Sequence, residues 1–212
     1  MKTTGTLIAA FGRQYEVRTD DTGEILLCVP RGKKSLFACG DRVQIAATGP
    51  GQGVIDKLLE RTSLLYRSDA WRQKLIAANA TQVVLVVATE PSFSDEFLSR
   101  CICAAESQHL KVLIVLNKID IVAGLEGARA QLATFAKLGY PILELSALDS
   151  ADALRARLIG ETSLLVGQSG MGKSTLTNAL IPEARAETRE ISEYLDTGKH
   201  TTTFARLYPL PE

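Results

Sequence analysis

The chain has 212 residues, with 24 Lys and Arg against 24 Asp and Glu, so its formal net charge is zero. That balance excludes a globally cationic nucleic-acid binder, and any contact with nucleic acid has to come from a local patch. No apolar run approaches the roughly 18–20 residues that span a bilayer, and the first residues lack the apolar core of a secretion signal, so a cytoplasmic protein with no membrane partner is expected. From Gly5 to about Leu65, short strand-like segments alternate with turn chemistry. Residues 6–10, 14–18 and 25–29 predict strands, and Asp20-Asp21-Thr22-Gly23 is a hairpin turn between the second and third. Residues 41–46 and 53–56 complete a set of five, which predicts a small closed barrel of the OB type over residues 1–66.

Barrels of this type often bind oligonucleotides, yet residues 1–66 hold nine Lys and Arg against seven Asp and Glu. The basic cluster Arg31-Gly32-Lys33-Lys34 can be an RNA contact, through Arg31, Lys33 and Lys34, or a solvated loop. Residues 67–80 are expected to form a connector. Their stretch 69–79 is polar, shows no strand pattern, and contains Trp71, the single tryptophan, which is expected to anchor packing rather than to stack on bases. The cysteines Cys28, Cys39, Cys101 and Cys103 form no C-x-x-C pair and are expected to be reduced packing residues.

After Asn79 the pattern changes. Residues 83–88, 112–116, 142–145 and 163–166 are nearly continuous apolar runs, as in strands buried on both faces of a parallel sheet. Helical stretches at 95–108, 126–137, 151–158 and 173–181 separate or follow them. The alternation predicts an α/β layered domain over residues 81–212.

Three motifs in this domain carry chemistry. Gly167-Gln168-Ser169-Gly170-Met171-Gly172-Lys173-Ser174 lies between an apolar strand and a helix, as a phosphate-binding P-loop does. Glycines let backbone N–H groups turn inward around phosphate oxygens at the positive end of the helix dipole. Lys173 would neutralise the β and γ phosphates, Ser174 would offer a hydroxyl to Mg²⁺, and Thr175 completes the stretch. Asn117-Lys118-Ile119-Asp120 follows the second apolar run. Asp120 can accept hydrogen bonds from the N1–H and amine of guanine, which adenine lacks, so the pair of motifs favours GTP or GDP over ATP. Asn117 would tie the loop to neighbouring backbone, and the Lys118 stem would lie along the base. Ser146-Ala147 follows the third run, where a backbone N–H can meet the guanine oxygen. An ATPase would require Asp120 to face away from the base.

In this chain the order is N-K-x-D, S-A, P-loop and then the Thr-rich Gly198-Lys199-His200-Thr201-Thr202-Thr203, a circular permutation of the small-GTPase order. Permuted order, an OB-like barrel and the G-K-H-T-T-T segment together resemble the RsgA family of bacterial GTPases that depend on the small ribosomal subunit. The resemblance covers essentially the whole chain. It implies GTP hydrolysis stimulated by that subunit during its late maturation, with the barrel and switches on ribosomal RNA. It makes residues 198–203 switch I, with Thr202 as second Mg²⁺ ligand and Thr201 or Thr203 as fallback. His200 would assist the attacking water or be an exposed loop residue, whereas His109 is expected to be structural. The family's D-x-P-G switch II and zinc-binding Cys/His domain do not occur before Glu212. The chain is therefore expected to be a monomeric piece truncated before switch II, with zinc only in the missing region. A guanine-nucleotide-dependent RNA or ribosome scaffold that does not hydrolyse GTP is the alternative.

Overall fold

A computed structural model describes residues 2–32, 37–68, 73–184 and 205–211. Five strands, β1 (Lys2–Phe11), β2 (Gln14–Thr19), β3 (Ile25–Pro30), β4 (Arg42–Gly49) and β5 (Gln52–Leu58), close into a barrel of order β1-β2-β3-β5-β4. Alternation produces its core: Tyr15 and Val17, Leu26 and Cys28, and Val43 and Ile45 point inward from three of the strands, joined by Leu7 and Ile55. The expected turn at residues 20–23 joins β2 to β3, closed by the Thr19 amide on the Glu24 carbonyl at 2.9 Å. Asp41, fully buried where the chain enters β4, accepts Nε and Nη2 of Arg61 at 2.6 and 2.7 Å and the Ala38 amide at 2.8 Å. Removal of Arg61 would leave the buried Asp41 charge uncompensated.

Two features of this region differ from the expectation. The stretch read as a strandless connector contains β7 (Gln73–Ala78), antiparallel to β6 (Leu64–Ser68). Its alternation is shallow because alanine takes the inward positions near its end: Lys74 and Ile76 are exposed, Leu75 and Ala77 half-buried. Trp71 lies outside the described residues. The second difference is that the described part of the chain after residue 204 does not all belong to the α/β domain. Arg206 bridges to Ala9, the Leu207 amide donates to the Ile8 carbonyl at 2.8 Å, and Arg206 pairs with Glu16 at 2.9 Å. Two compact units result, one within Met1–Ala80 and His200–Pro209, the other within Thr81–Lys199 and Leu210–Glu212.

The second unit holds a parallel sheet of order β10-β9-β8-β11, made by β8 (Gln82–Ala88), β9 (Lys111–Asn117), β10 (Ile142–Glu144) and β11 (Ser163–Val166). Every residue of β8 is buried, and β9 is buried from Val112 onward. The outer strands β10 and β11 are only half-buried, because each has a described neighbour on one side alone. The helices are α1 (Asp95–Glu106), α2 (Leu125–Lys137), α3 (Asp152–Leu158) and α4 (Lys173–Leu180). Helix α1 starts cleanly, with the Ser94 hydroxyl accepting from the Phe97 amide and Asp95 and Glu96 in its first turn, where the dipole favours negative charge. Cys28 and Cys39 are buried and Cys101 half-buried, but Cys103 is exposed on α1, so the packing role expected for all four thiols does not hold for it.

Candidate nucleotide-binding site

The chain reverses between β8 and β11: successive strands run from β8 through β9 to β10, and β11 then returns to the other side of β8. Loops at the carboxyl ends of these strands converge on such a switch point, where an open parallel sheet takes its ligands. All three motifs occupy those ends.

The glycine-rich loop leaves β11 pressed against β8. A Cβ on Gly167 would sit 2.3 Å from the Val86 carbonyl oxygen, so only glycine allows the approach. Gly172, the N-cap of α4, has φ +89, and a Cβ there would meet Asn117 Nδ2 at 2.3 Å. No side chain caps α4. Its first-turn amides are therefore left to a ligand or solvent, and the positive end of its dipole faces the loop. Ser174 and Thr175 are exposed in that turn. Lys173 Nζ donates to the carbonyls of Gly167 and Gln168, each at 2.8 Å, and burial pulls its pKa below the ordinary lysine value. Two loop side chains have structural positions instead. Met171 is fully buried, and Gln168 Oε1 accepts the Ser94 amide at 3.0 Å, fastening the loop to the start of α1.

Asn117, at the end of β9 and fully buried, joins the motifs. Its Nδ2 donates to the Met171 carbonyl at 3.0 Å, and its Oδ1 accepts the Ala147 amide at 3.0 Å. The Ala147 N–H, expected to face a guanine oxygen, thus goes to Asn117, whose buried amide oxygen needs a donor. Ser146 is buried, and its hydroxyl accepts the Leu148 amide at 3.4 Å. Lys118 adopts φ +63, its Nζ reaches the Glu90 carbonyl at 2.8 Å, and its own carbonyl accepts the Thr89 hydroxyl at 3.0 Å. Ile119 is half-buried. Asp120 is exposed, and its carboxylate makes no hydrogen bond or ion pair with any described residue.

One wall was missed from sequence. The segment after β8 holds Lys118 through Glu90 and the phosphate loop through Ser94, and Pro91 lies 3.2 Å from where a Gly170 Cβ would be. Its position after an apolar strand was the available signal. Away from the sheet, Arg31 is exposed, with Nε 2.7 Å from Asp56 Oδ1, and Lys2 shares that carboxylate at 3.3 Å. Lys33, Lys34, His200 and Thr202 lie outside the described residues. Among the described residues no group of three or more His, Cys, Asp or Glu gathers as a metal site, and no helix is long and apolar enough to cross a membrane.

Comparison with known proteins agrees with this arrangement. A family model described as RsgA GTPase matches residues 58–212. The chain belongs to the RsgA GTPase family. A small ribosomal subunit biogenesis GTPase RsgA of Burkholderia pseudomallei is 54% identical, with 98% of this chain and 68% of that protein covered. Its counterpart in Paraburkholderia phytofirmans is 53% identical, with 98% and 67% covered. The chain thus spans about two thirds of the length of these RsgA relatives. Among solved structures, YjeQ from Thermotoga maritima is 31% identical with a TM-score of 0.70, and YloQ, a circularly permuted GTPase, is 27% identical with a TM-score of 0.64. Each match covers 86% of this chain and 66% of the other. The closed five-stranded barrel and the permuted GTPase fold are those of the family, and guanine-nucleotide use goes with RsgA membership.

Proposed function

We propose that this chain binds GTP and GDP through the loops described above, hydrolyses GTP with Mg²⁺, and acts with the small ribosomal subunit late in that subunit's maturation. The observation that carries the reading is the double tie of Asn117, which holds the phosphate loop and the loop after β10 together, while the Asp120 carboxylate pairs with no described residue. Uncapped α4 amides and Lys173 would receive the phosphates, and Asp120 would accept the N1–H and amine of guanine. An unsatisfied buried polar group costs about 1–3 kcal/mol, more when charged, so adenine would be rejected by tenfold or more. Ser174, exposed in the first turn of α4, fits a Mg²⁺ ligand. The metal would neutralise charge on the β and γ phosphate oxygens. Thr202 as a second ligand and His200 as the group orienting water rest on the family resemblance alone.

The partner reading rests on the relatives named small ribosomal subunit biogenesis GTPases. Arg31, Lys33 and Lys34 are the barrel residues proposed for ribosomal RNA, with the Arg31 charge partly committed to Asp56. The chain is read as a cytoplasmic monomer. GTP turnover with and without purified small subunits, together with competition by ATP, tests the reading. Subunit-stimulated release of phosphate that ATP does not compete with is expected. Tight GTP binding without turnover would favour the scaffold, and equal competition by ATP would remove Asp120 from the base.

A further inference from the structure

Residues 89–94, between β8 and α1, are fastened to both halves of the candidate site. At their start the Thr89 hydroxyl donates to the Lys118 carbonyl at 3.0 Å, and the Glu90 carbonyl accepts Lys118 Nζ at 2.8 Å. At their end the Ser94 amide donates to Gln168 Oε1 of the phosphate loop at 3.0 Å. Between these ties, Pro91 stands 3.2 Å from where a Cβ on Gly170 would be. Phe93 is buried, and its carbonyl accepts Gln131 Nε2 of α2 at 3.3 Å. The backbone of this wall is therefore held in place before any ligand arrives.

A guanine nucleotide has its parts in a fixed order, base, ribose and phosphates. With the base on Asp120 and the Lys118 stem, and the phosphates on residues 167–175, the ribose has to cross the space between them. Glu90 and Pro91 border that crossing, since one meets the far end of the Lys118 side chain and the other meets the phosphate loop. Glu90 is exposed, and its carboxylate makes no hydrogen bond or ion pair with any described residue. An ionised carboxylate only accepts hydrogen bonds, and its two oxygens match the two donors of a vicinal diol. Dinucleotide-binding folds use an acidic side chain on a ribose hydroxyl in the same way.

We infer that Glu90 is a specificity-determining residue for the sugar, its carboxylate accepting the 2′- and 3′-hydroxyls of the ribose. The inference rests on the reading of the nucleotide site above. It concerns the side chain alone. The Glu90 carbonyl that holds Lys118 persists in every substitution at this position, so recognition of the base is separable from recognition of the sugar.

The test is calorimetric titration of the 212-residue chain with unlabelled GDP, 2′-deoxy-GDP and 3′-deoxy-GDP. The parent is expected to bind GDP about tenfold more tightly than either deoxy analogue, the low end for a hydrogen bond to a charged group. Glu90→Ala is expected to bind all three alike, near the parental affinity for the deoxy analogues. Glu90→Gln, which keeps the length and loses the charge, is expected to show an intermediate preference. A parent that binds GDP and both deoxy analogues equally overturns the inference while the site reading stands. So does a Glu90→Ala variant that keeps the parental preference for GDP, whether its affinities rise together through relief of repulsion from the phosphates or fall together. A parent chain that binds none of the three overturns the reading of the site, and this inference with it.

Discussion

Asn117 is the side chain whose replacement tests the assembly of the site most directly. It donates to the Met171 carbonyl and accepts from the Ala147 amide, both at 3.0 Å, and is fully buried. Asn117→Ala strands one acceptor and one donor. A typical net hydrogen bond contributes about 0.5–1.5 kcal/mol and an unsatisfied buried group costs about 1–3, so roughly 2 kcal/mol is the scale of the loss. If nucleotide binding has to restore the alignment of both loops, GDP affinity falls by up to about 30-fold. Asn117→Asp is the sharper comparison. It keeps the shape and the acceptor toward Ala147, but puts a second oxygen against the Met171 carbonyl, so it should bind GDP more weakly than the alanine variant. Fluorescent GDP titration measures affinity, and urea unfolding separates loss of stability from loss of binding. Parental affinity in Asn117→Ala, or tighter binding by Asp than by Ala, would refute the claim that this residue couples the loops.

Three further outcomes follow from the same geometry. Asp120→Asn should shift preference from guanine toward xanthine nucleotides, whose C2 carbonyl replaces the amine; competition titration checks it, and unchanged GDP affinity would move Asp120 away from the base. Lys173→Ala removes an ammonium already held partly out of water by Gly167 and Gln168, so di- and triphosphate affinity should fall about 10- to 150-fold, on the scale of hydrogen bonds to a charged group. Equal affinity for variant and parent would sink the phosphate-loop assignment. Replacing Arg31, Lys33 and Lys34 together by Ala should weaken sedimentation with small subunits and flatten its salt dependence, since each lost phosphate contact removes released counterions. Arg31 should contribute least, because Asp56 already neutralises part of its charge, and a parental salt slope would return the cluster to a solvated loop.

The barrel was legible because β2, β3 and the first half of β4 alternate against a one-sided core, and turn residues separate the strands. Tyr15 and Val17 or Val43 and Ile45 announce an inward face before any partner is known. The β6–β7 hairpin was not legible, because Ala77 and Ala78 carry too little contrast to declare a face. Attachment of Arg206 and Leu207 to β1 was beyond sequence reasoning for another reason. It depends on backbone hydrogen bonds and on one ion pair with Glu16, formed across about 190 residues of chain, and neither leaves a local pattern. Within the candidate site, the placement of the three motifs at strand ends was readable, but which of their side chains turn into the core was not. Nothing in the motif itself distinguishes Met171, whose side chain is buried in the core, from the exposed Ser174.

The permuted order is reconciled with a working site by the sheet, which counts neighbours and not sequence. Val83 of β8 pairs with Val112 of β9 on one side and with Leu164 of β11 on the other, so the strand of this sheet that comes last in sequence stands beside the one that comes first. The phosphate loop then leaves β11 against Val86, within reach of Asn117 at the end of β9, whichever of them the chain visits first. What permutation changes is the covalent neighbourhood. The chain after α4 runs through the Thr-rich motif and arrives at Arg206 and Leu207 on the barrel strand β1, then at Pro211 on Arg155. In this topology the segment expected to sense the third phosphate is tied at one end to the barrel proposed to contact RNA.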